Sequence, residues 1–238
     1  MKFSKDFKKI KGDASFREFY RNKKKNSILV YANKEKNTNL LIYDAVNKIL
    51  IKNKVIAPSL IYQNYQKNYI EIKDLGNKTI YQTFINNKKN FYLIFKKIIK
   101  ILNKIQLIKD KKIKNFKNKF YRIKYYKKKI FLDEVKLFND WYAPKKLKTK
   151  KLNIFKHKFD KEIKFLLSKI NYKNDTFVHR DFHISNLIIN LNNQIGLVDN
   201  QDALIGNKAY DLVSLIDDVR FKTPNYLKEK VYKYYLKT

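Results

Sequence analysis

Between residues 91 and 108, apolar side chains fall at Phe91, Ile94, Phe95, Ile98, Leu102, Ile105 and Ile108, with lysines on the positions between them. Steps of three and four residues are the signature of a helix that buries one face. The same period, in Ile42, Ala45, Val46, Ile49 and Leu50, predicts a helix from Leu40 to about Asn53, with Asn39 as its cap and Pro58 as a barrier beyond it. Around that helix the pattern shortens. Ser15–Tyr20 and Ile28–Ala32 read as strands joined by the polar turn Asn22–Asn26, and Ser59–Gln63 and Tyr69–Lys73 as a second pair around Asn64–Asn68. Asp74-Leu75-Gly76 interrupts the pattern. Beyond the 91–108 segment, helices are predicted over about 116–142 and after Pro144, the latter with Phe155, Phe159, Ile163, Leu166, Leu167 and Ile170 along one side. Thr176–Val178 is a short apolar run, and Leu187–Asp199 reads as a hairpin turning at Asn192–Asn193. Helices over about 209–220 and 225–236 close the chain. The order predicts an α+β protein of two lobes: a small β-rich lobe over residues 1–75 and a larger helical lobe over 76–238 that carries one hairpin.

Composition narrows the class. Of 238 residues, 44% are hydrophobic and 15% aromatic, enough to build a core and too many for a disordered basic tail. With no Cys, a disulfide framework, a zinc ribbon and a thiol nucleophile are excluded. No segment approaches the roughly 20 apolar residues that a membrane helix needs, and the N-terminus lacks the apolar run of a secretory signal, so a cytoplasmic location is expected. The net charge of +34 raises nucleic acid or an anionic membrane surface as partners. Yet only five of the 55 cations are Arg, the side chain whose planar fork suits phosphate and base readout. The Lys, Asn and Ile enrichment matches an AT-rich coding bias, so the charge reads as background and a nucleic-acid partner is not favoured.

Chemistry concentrates in one stretch, Val178-His179-Arg180-Asp181-Phe182-His183-Ile184-Ser185-Asn186, followed after the hairpin by Val198-Asp199. It fits the pattern H-R-D-x-x-x-x-N of phosphoryl-transfer enzymes, with a metal-binding Asp one hairpin later. Such a loop can hold Asp181 against an acceptor hydroxyl while Asn186 faces a metal, and the hairpin returns Asp199 to the same ion. Oxygen ligands of this kind suit magnesium. His179 and His183 lie four apart, but no third ligand is near and the Glu of H-E-x-x-H is absent, so zinc is not expected.

Residues 178–220 resemble the aminoglycoside phosphotransferase and choline kinase superfamily of kinase-like folds. More narrowly, they resemble the bacterial cell-wall sugar kinases that act on N-acetylmuramate and N-acetylglucosamine. HRDFH with Asn186, the segment Asp199-Asn200-Gln201-Asp202-Ala203, Gly206, and Tyr210-Asp211-Leu212 through Asp218 and Arg220 carry the likeness. Gly12-Asp13-Ala14-Ser15-Phe16-Arg17 is similar to that group's opening, and Asp74-Leu75-Gly76 to its hinge. The resemblance implies a bilobal protein-kinase-like fold that binds ATP and Mg2+ and phosphorylates the anomeric hydroxyl of an N-acetylated amino sugar. Asp181 would be the catalytic base, and Asn186 and Asp199 the magnesium ligands. Gly12, Ser15 and Arg17 would cover the nucleotide phosphates, and the backbone of Lys73, Asp74 and Leu75 would meet adenine. Asp211 would hold the catalytic-loop backbone, with His179, Arg180, Gln201 and Asp202 as structural or substrate-facing candidates.

Three departures from the pattern qualify these expectations. No lysine stands on the strand Ile28–Ala32, so Arg17, Arg21 or Lys34 would have to bring positive charge to the phosphates. Lys73 replaces an acid and Asn200 an aromatic residue. Relatives carry further helices beyond the position of Thr238, so the C-terminal lobe is expected to be shortened. The alternatives are another small-molecule kinase of the superfamily, acting on an aminoglycoside, choline or homoserine, or a catalytically reduced basic protein that binds nucleotide or RNA.

Overall fold

Strands β1 (Phe7–Ile10), β2 (Arg17–Asn22) and β3 (Ser27–Ala32), then helix α1 (Asn39–Lys52), then β4 (Leu60–Asn64) and β5 (Tyr69–Lys73) build the first part of the chain. The five strands form one antiparallel sheet in the order β1-β2-β3-β5-β4. The computed structural model describes residues 4–10, 17–33, 39–86, 90–169 and 173–238. The expected phosphate turn through Gly12 and Ser15, and Lys34, lie outside them. Alternation explains the sheet's inner face, where Ile28, Val30, Ala32, Ile70 and Ile72 pack on Leu40 and Tyr43 of α1. At the β2–β3 turn, Asn26 takes the left-handed conformation that Asn tolerates better than most residues, and Asn22 Oδ1 accepts the Lys25 N–H at 3.1 Å.

Helix α1 belongs to two cores. Leu40 and Tyr43 face the sheet, whereas Val46, Ile49 and Leu50 join a second core built from the rest of the chain. That second part runs through β6 (Lys78–Thr79), α2 (Ile80–Asn86), α3 (Phe91–Gln106), β7 (Lys112–Lys114), β8 (Phe120–Arg122), α4 (Lys128–Leu137), α5 (Ala143–Lys146) and α6 (Thr149–Lys169). It ends with β9 (Thr176–Val178), β10 (Leu187–Ile189), β11 (Ile195–Leu197), β12 (Leu204–Gly206), α7 (Ala209–Ile216) and α8 (Asn225–Leu236). The expected inward face of α3 is the one buried: Phe95, Ile98, Leu102 and Ile105 are fully covered. β10 pairs with β11 and with β6, and β12 pairs with β9. No helix among the described residues is long and apolar enough to cross a membrane.

Three expectations change. The helix expected over 116–142 begins only at Lys128, because 112–122 form a hairpin instead. Asn115 Oδ1 accepts the N–H groups of Lys117 and Lys119, and Asn118 is left-handed, which favours a tight turn over a helical one. The helix expected to reach 220 stops at Ile216, and Asp218 Oδ1 takes the Arg220 N–H at 3.0 Å in the turn beyond. Helix α6 buries only Leu167. Its Phe155 and Phe159 pack instead against Phe138, at 6.2 and 5.4 Å between ring centroids, the first tilted and the second stacked, while Leu166 stays exposed.

Candidate active site

The loop between β9 and β10 carries His179 to Asn186, and a buried carboxylate shapes it. Asp211, in the first turn of α7, accepts the backbone N–H of His179 at 2.7 Å and that of Arg180 at 3.0 Å. Arg180 has a positive φ of 76°, a conformation unfavourable for its side chain, so the two N–H groups are turned toward Asp211 at some backbone strain. Burial raises the Asp211 carboxyl to about 6, against the opposing pull of His179 and the two N–H bonds.

Asp181, Asn186 and Asp199 are drawn together by main-chain and amide contacts. Asn186 Nδ2 donates to the Asp181 carbonyl at 3.0 Å, His183 N–H reaches the same carbonyl at 3.0 Å, and Val198 N–H donates to the Asn186 carbonyl at 3.1 Å. The β10–β11 hairpin therefore returns Asp199 beside the loop. Asp199 is itself left-handed, with φ of 64°. Its Oδ1 accepts Arg17 Nη2 at 2.9 Å and Gln201 Nε2 at 3.1 Å, and Gln201 Nε2 also reaches Asp202 Oδ2 at 2.6 Å. Gln201 is buried while Asp202 is exposed beside it. Burial, then the charge of Arg220, lowers the pKa of His183 and favours its neutral form.

A second buried set ties the loop to α1. His179, fully buried, places Nε2 2.7 Å from Asn200 Oδ1, and Asn200 Nδ2 donates to Asn47 Oδ1 at 2.7 Å. Because the Asn200 amide nitrogen is engaged with Asn47, its oxygen must accept from His179, which fixes the proton on Nε2. Arg180 pairs with Glu134 of α4, whose other oxygen accepts the Tyr126 hydroxyl at 2.5 Å. Sequence reasoning missed Asn47 and Glu134. The signal for Asn47 was a polar residue inside the apolar face of α1. Glu134 was marked only by being an acid in a lysine-rich segment.

The segment expected as the hinge is held from the sheet. Asp74 pairs with Arg21, Nε to Oδ2 at 2.6 Å, and its Oδ1 accepts the Gly76 N–H at 2.8 Å; Arg21 Nη2 also bonds the Gly76 carbonyl at 2.9 Å. Lys73 N–H donates to the Ser59 carbonyl and Asp74 N–H to that of Asn26. A cavity of about 590 Å³ opens beside this segment, between Lys73, Leu75, Lys54, Ile56 and Gln194; none of Asp181, Asn186 and Asp199 lines it.

Hard-cation chemistry fits the cluster. Asn186 spends its amide nitrogen on the Asp181 carbonyl, which leaves the amide oxygen as its end for an ion, and Asp199 holds Oδ1 in the Arg17 and Gln201 contacts with Oδ2 beside it. Two protein oxygens make an incomplete shell of the kind that magnesium completes with phosphates and water. No group of three or more His, Cys, Asp or Glu side chains suited to a metal occurs among the described residues.

Residues 6–236 match the profile of the phosphotransferase enzyme family. Over 214 residues the chain is 26% identical to an N-acetylmuramate/N-acetylglucosamine kinase of Pseudomonas putida, covering 89% of this chain and 59% of that protein. A protein of the same name from Neisseria meningitidis serogroup B is 34% identical over 87 residues, 37% of this chain and 26% of the relative. The chain thus spans less than two thirds of the length of either relative. Among solved structures, the ADP-bound aminoglycoside phosphotransferase APH(2'')-Ib superposes with a TM-score of 0.66 at 17% identity, over 97% of this chain and 77% of that one. The choline kinase LicA from Streptococcus pneumoniae gives 0.65 at 12% identity, over 96% and 74%. The α+β architecture is therefore that of the protein-kinase-like phosphotransferases.

Proposed function

The chain belongs to the phosphotransferase enzyme family, and from that premise we propose that it transfers the γ-phosphoryl group of ATP to the anomeric hydroxyl of N-acetylmuramate or N-acetylglucosamine. The observation that carries the reading is the clamped loop: Asp211 fixes the backbone of His179 and Arg180, and the same loop gathers Asp181 and Asn186 beside Asp199. In this reading the Asp181 carboxylate accepts a hydrogen bond from the acceptor hydroxyl. It takes the proton as that oxygen bonds to phosphorus and the bond from phosphorus to the bridging oxygen of ADP breaks. Its main chain is already tied by Asn186 and His183, so little reorganisation stands between binding and transfer. Asn186 and Asp199 would hold magnesium, which supplies neutralisation of phosphate charge. With the Lys73 and Asp74 N–H groups engaged inside the protein, we assign recognition of the base to the Leu75 N–H.

The sugar acceptor is supported by the names of the two curated relatives and by the exposed Asp202, held next to Asp199 through Gln201, where it can accept hydrogen bonds from a polyol. The scarcity of acids, 21 against 55 cations, speaks against a cationic aminoglycoside. Use of ATP would place the reaction in the cytoplasm.

The test is incubation with magnesium and ATP and, separately, N-acetylmuramate, N-acetylglucosamine, choline and kanamycin, with products followed by phosphorus NMR. The expected result is a sugar 1-phosphate whose formation falls about 10²- to 10⁴-fold in Asp181→Ala while circular dichroism is unchanged. Product only from choline or kanamycin overturns the sugar assignment; undiminished turnover in Asp181→Ala overturns the role of that residue.

A further inference from the structure

Protein kinases hold nucleotide phosphates with a lysine on the third strand of the small lobe, and β3 of this chain has none. In the β2–β3 ladder Arg17 stands directly opposite Ala32. Directly opposed residues of an antiparallel pair project to the same face, so Arg17 shares the inner face with a residue that occupies little of it. Ala32 is fully buried in the cluster that contains Leu40 and Tyr43. The Arg17 side chain is only 6% exposed, and its guanidinium carbon lies 5.8 Å from the ring centroids of both Phe19 and Tyr43. A cation so far removed from water requires anionic company, and Nη2 meets Asp199 Oδ1 at 2.9 Å. A long basic side chain on β2 thus reaches across an alanine on β3 to the carboxylate that the proposed function assigns to magnesium.

We propose that Arg17 is the phosphate-binding cation of this chain, supplied from β2 in place of β3, and that its guanidinium bonds the phosphates of a bound nucleotide while keeping Asp199 beside them. The proposal rests on the phosphotransferase reading and adds to it the identity of the phosphate-binding group. The planar fork of Arg suits it to this double duty, because several donors in fixed directions can serve a carboxylate and a phosphate together, whereas a lysine presents a compact point charge. Phe19 and Tyr43 flank the guanidinium.

The test measures the affinity of ADP and of adenosine for the wild type, Arg17→Met and Arg17→Lys by calorimetry, without magnesium and then with it. Adenosine has the base and ribose but no phosphate. The expected result in Arg17→Met is ADP weakened about 10- to 100-fold, with adenosine held within about twofold. Arg17→Lys, which keeps the charge and loses the fork, falls between and decides the matter if Arg17→Met does not fold. Equal weakening of ADP and adenosine, or ADP binding unchanged in both variants, overturns the proposal and makes Arg17 a purely structural cation. A wild type that binds neither ligand overturns the phosphotransferase reading and this proposal with it; a wild type that binds both leaves that reading standing whatever the variants do.

Discussion

Asp211 shows how one buried side chain sets both the shape and the pH response of the loop between β9 and β10. Its carboxylate spends both oxygens on backbone donors, so an amide there would turn one N–H group against another. Its folded pKa, raised to about 6 from 3.8, means that the native state binds a proton more readily than the unfolded chain between those values. Stability from this group is therefore present below pH 3.8 and is lost as the pH rises through about 6. Asp211→Asn cannot take up that proton. Relative to Asp211→Asn, the wild type should gain about 1 kcal/mol on going from pH 7 to pH 5, read from urea melts at the two values. Taking the difference between the proteins cancels the opposite contribution of His183, whose lowered pKa makes it destabilising as the pH falls. A difference that stays flat across the range contradicts the assignment of a raised pKa to Asp211. His179, Arg180, Asp181, Asn186, Asp199 and Asp211 were legible as a set because loop and hairpin keep them within 33 residues of sequence. Arg17 was one of three candidate cations. No spacing rule could choose among them, since a contact across 182 residues depends on how the sheet is seated.

Among the elements, α1 and the Asp74–Gly76 segment tie the sheet to the rest of the chain, α1 reaching the loop between β9 and β10. Helix α1 is anchored through Asn47, Asn200 and His179, a buried chain that would lose a paired partner at either end. The Asp74–Gly76 segment depends on Gly76, whose φ of +107° is one that L side chains rarely adopt. Gly76→Ala should lower stability by about 1–3 kcal/mol through backbone strain, measured by chemical denaturation. Since Gly76 also gives its N–H to Asp74 and its carbonyl to Arg21, the strain should reach the orientation of the hinge. An unchanged unfolding midpoint would show that the segment relaxes without cost. Helices α1 and α3 were readable from apolar spacing, α8 from its place after Pro224, and strands β3 and β5 from strand-like composition around the polar turns Asn22–Asn26 and Asn64–Asn68. The 112–122 hairpin was not, because its residues are too polar to show a period and its turn is set by the side chain of Asn115. Strand β12 was missed for a related reason: three residues are too few to display alternation, and only pairing with β9 defines them.

For the molecule as a whole, a charge of +34 on one chain makes self-repulsion an unavoidable term. Observed pairs such as Lys9–Glu18, Lys24–Asp6 and Lys52–Asp110 sit at the surface, where each contributes little. Raising sodium chloride from about 50 mM to about 500 mM should therefore raise the melting temperature by a few degrees, as screening shortens the reach of the repulsion. Differential scanning fluorimetry over a salt series would show it. A melting temperature that falls with salt would mean that the surface pairs outweigh the repulsion.

By itself the sequence determined the fold class, most of the longer elements and the local grouping of Asp181, Asn186 and Asp199, since those follow from apolar spacing, from strand-like composition and from residues close together in the chain. Tertiary structure decided what joins distant segments: Arg17 over Ala32 to Asp199, Asn47 to Asn200, Glu134 to Arg180, and Arg21 to the hinge. The physical reason is reach. A buried polar side chain must find its partner wherever packing places one, and packing is settled by the whole core at once.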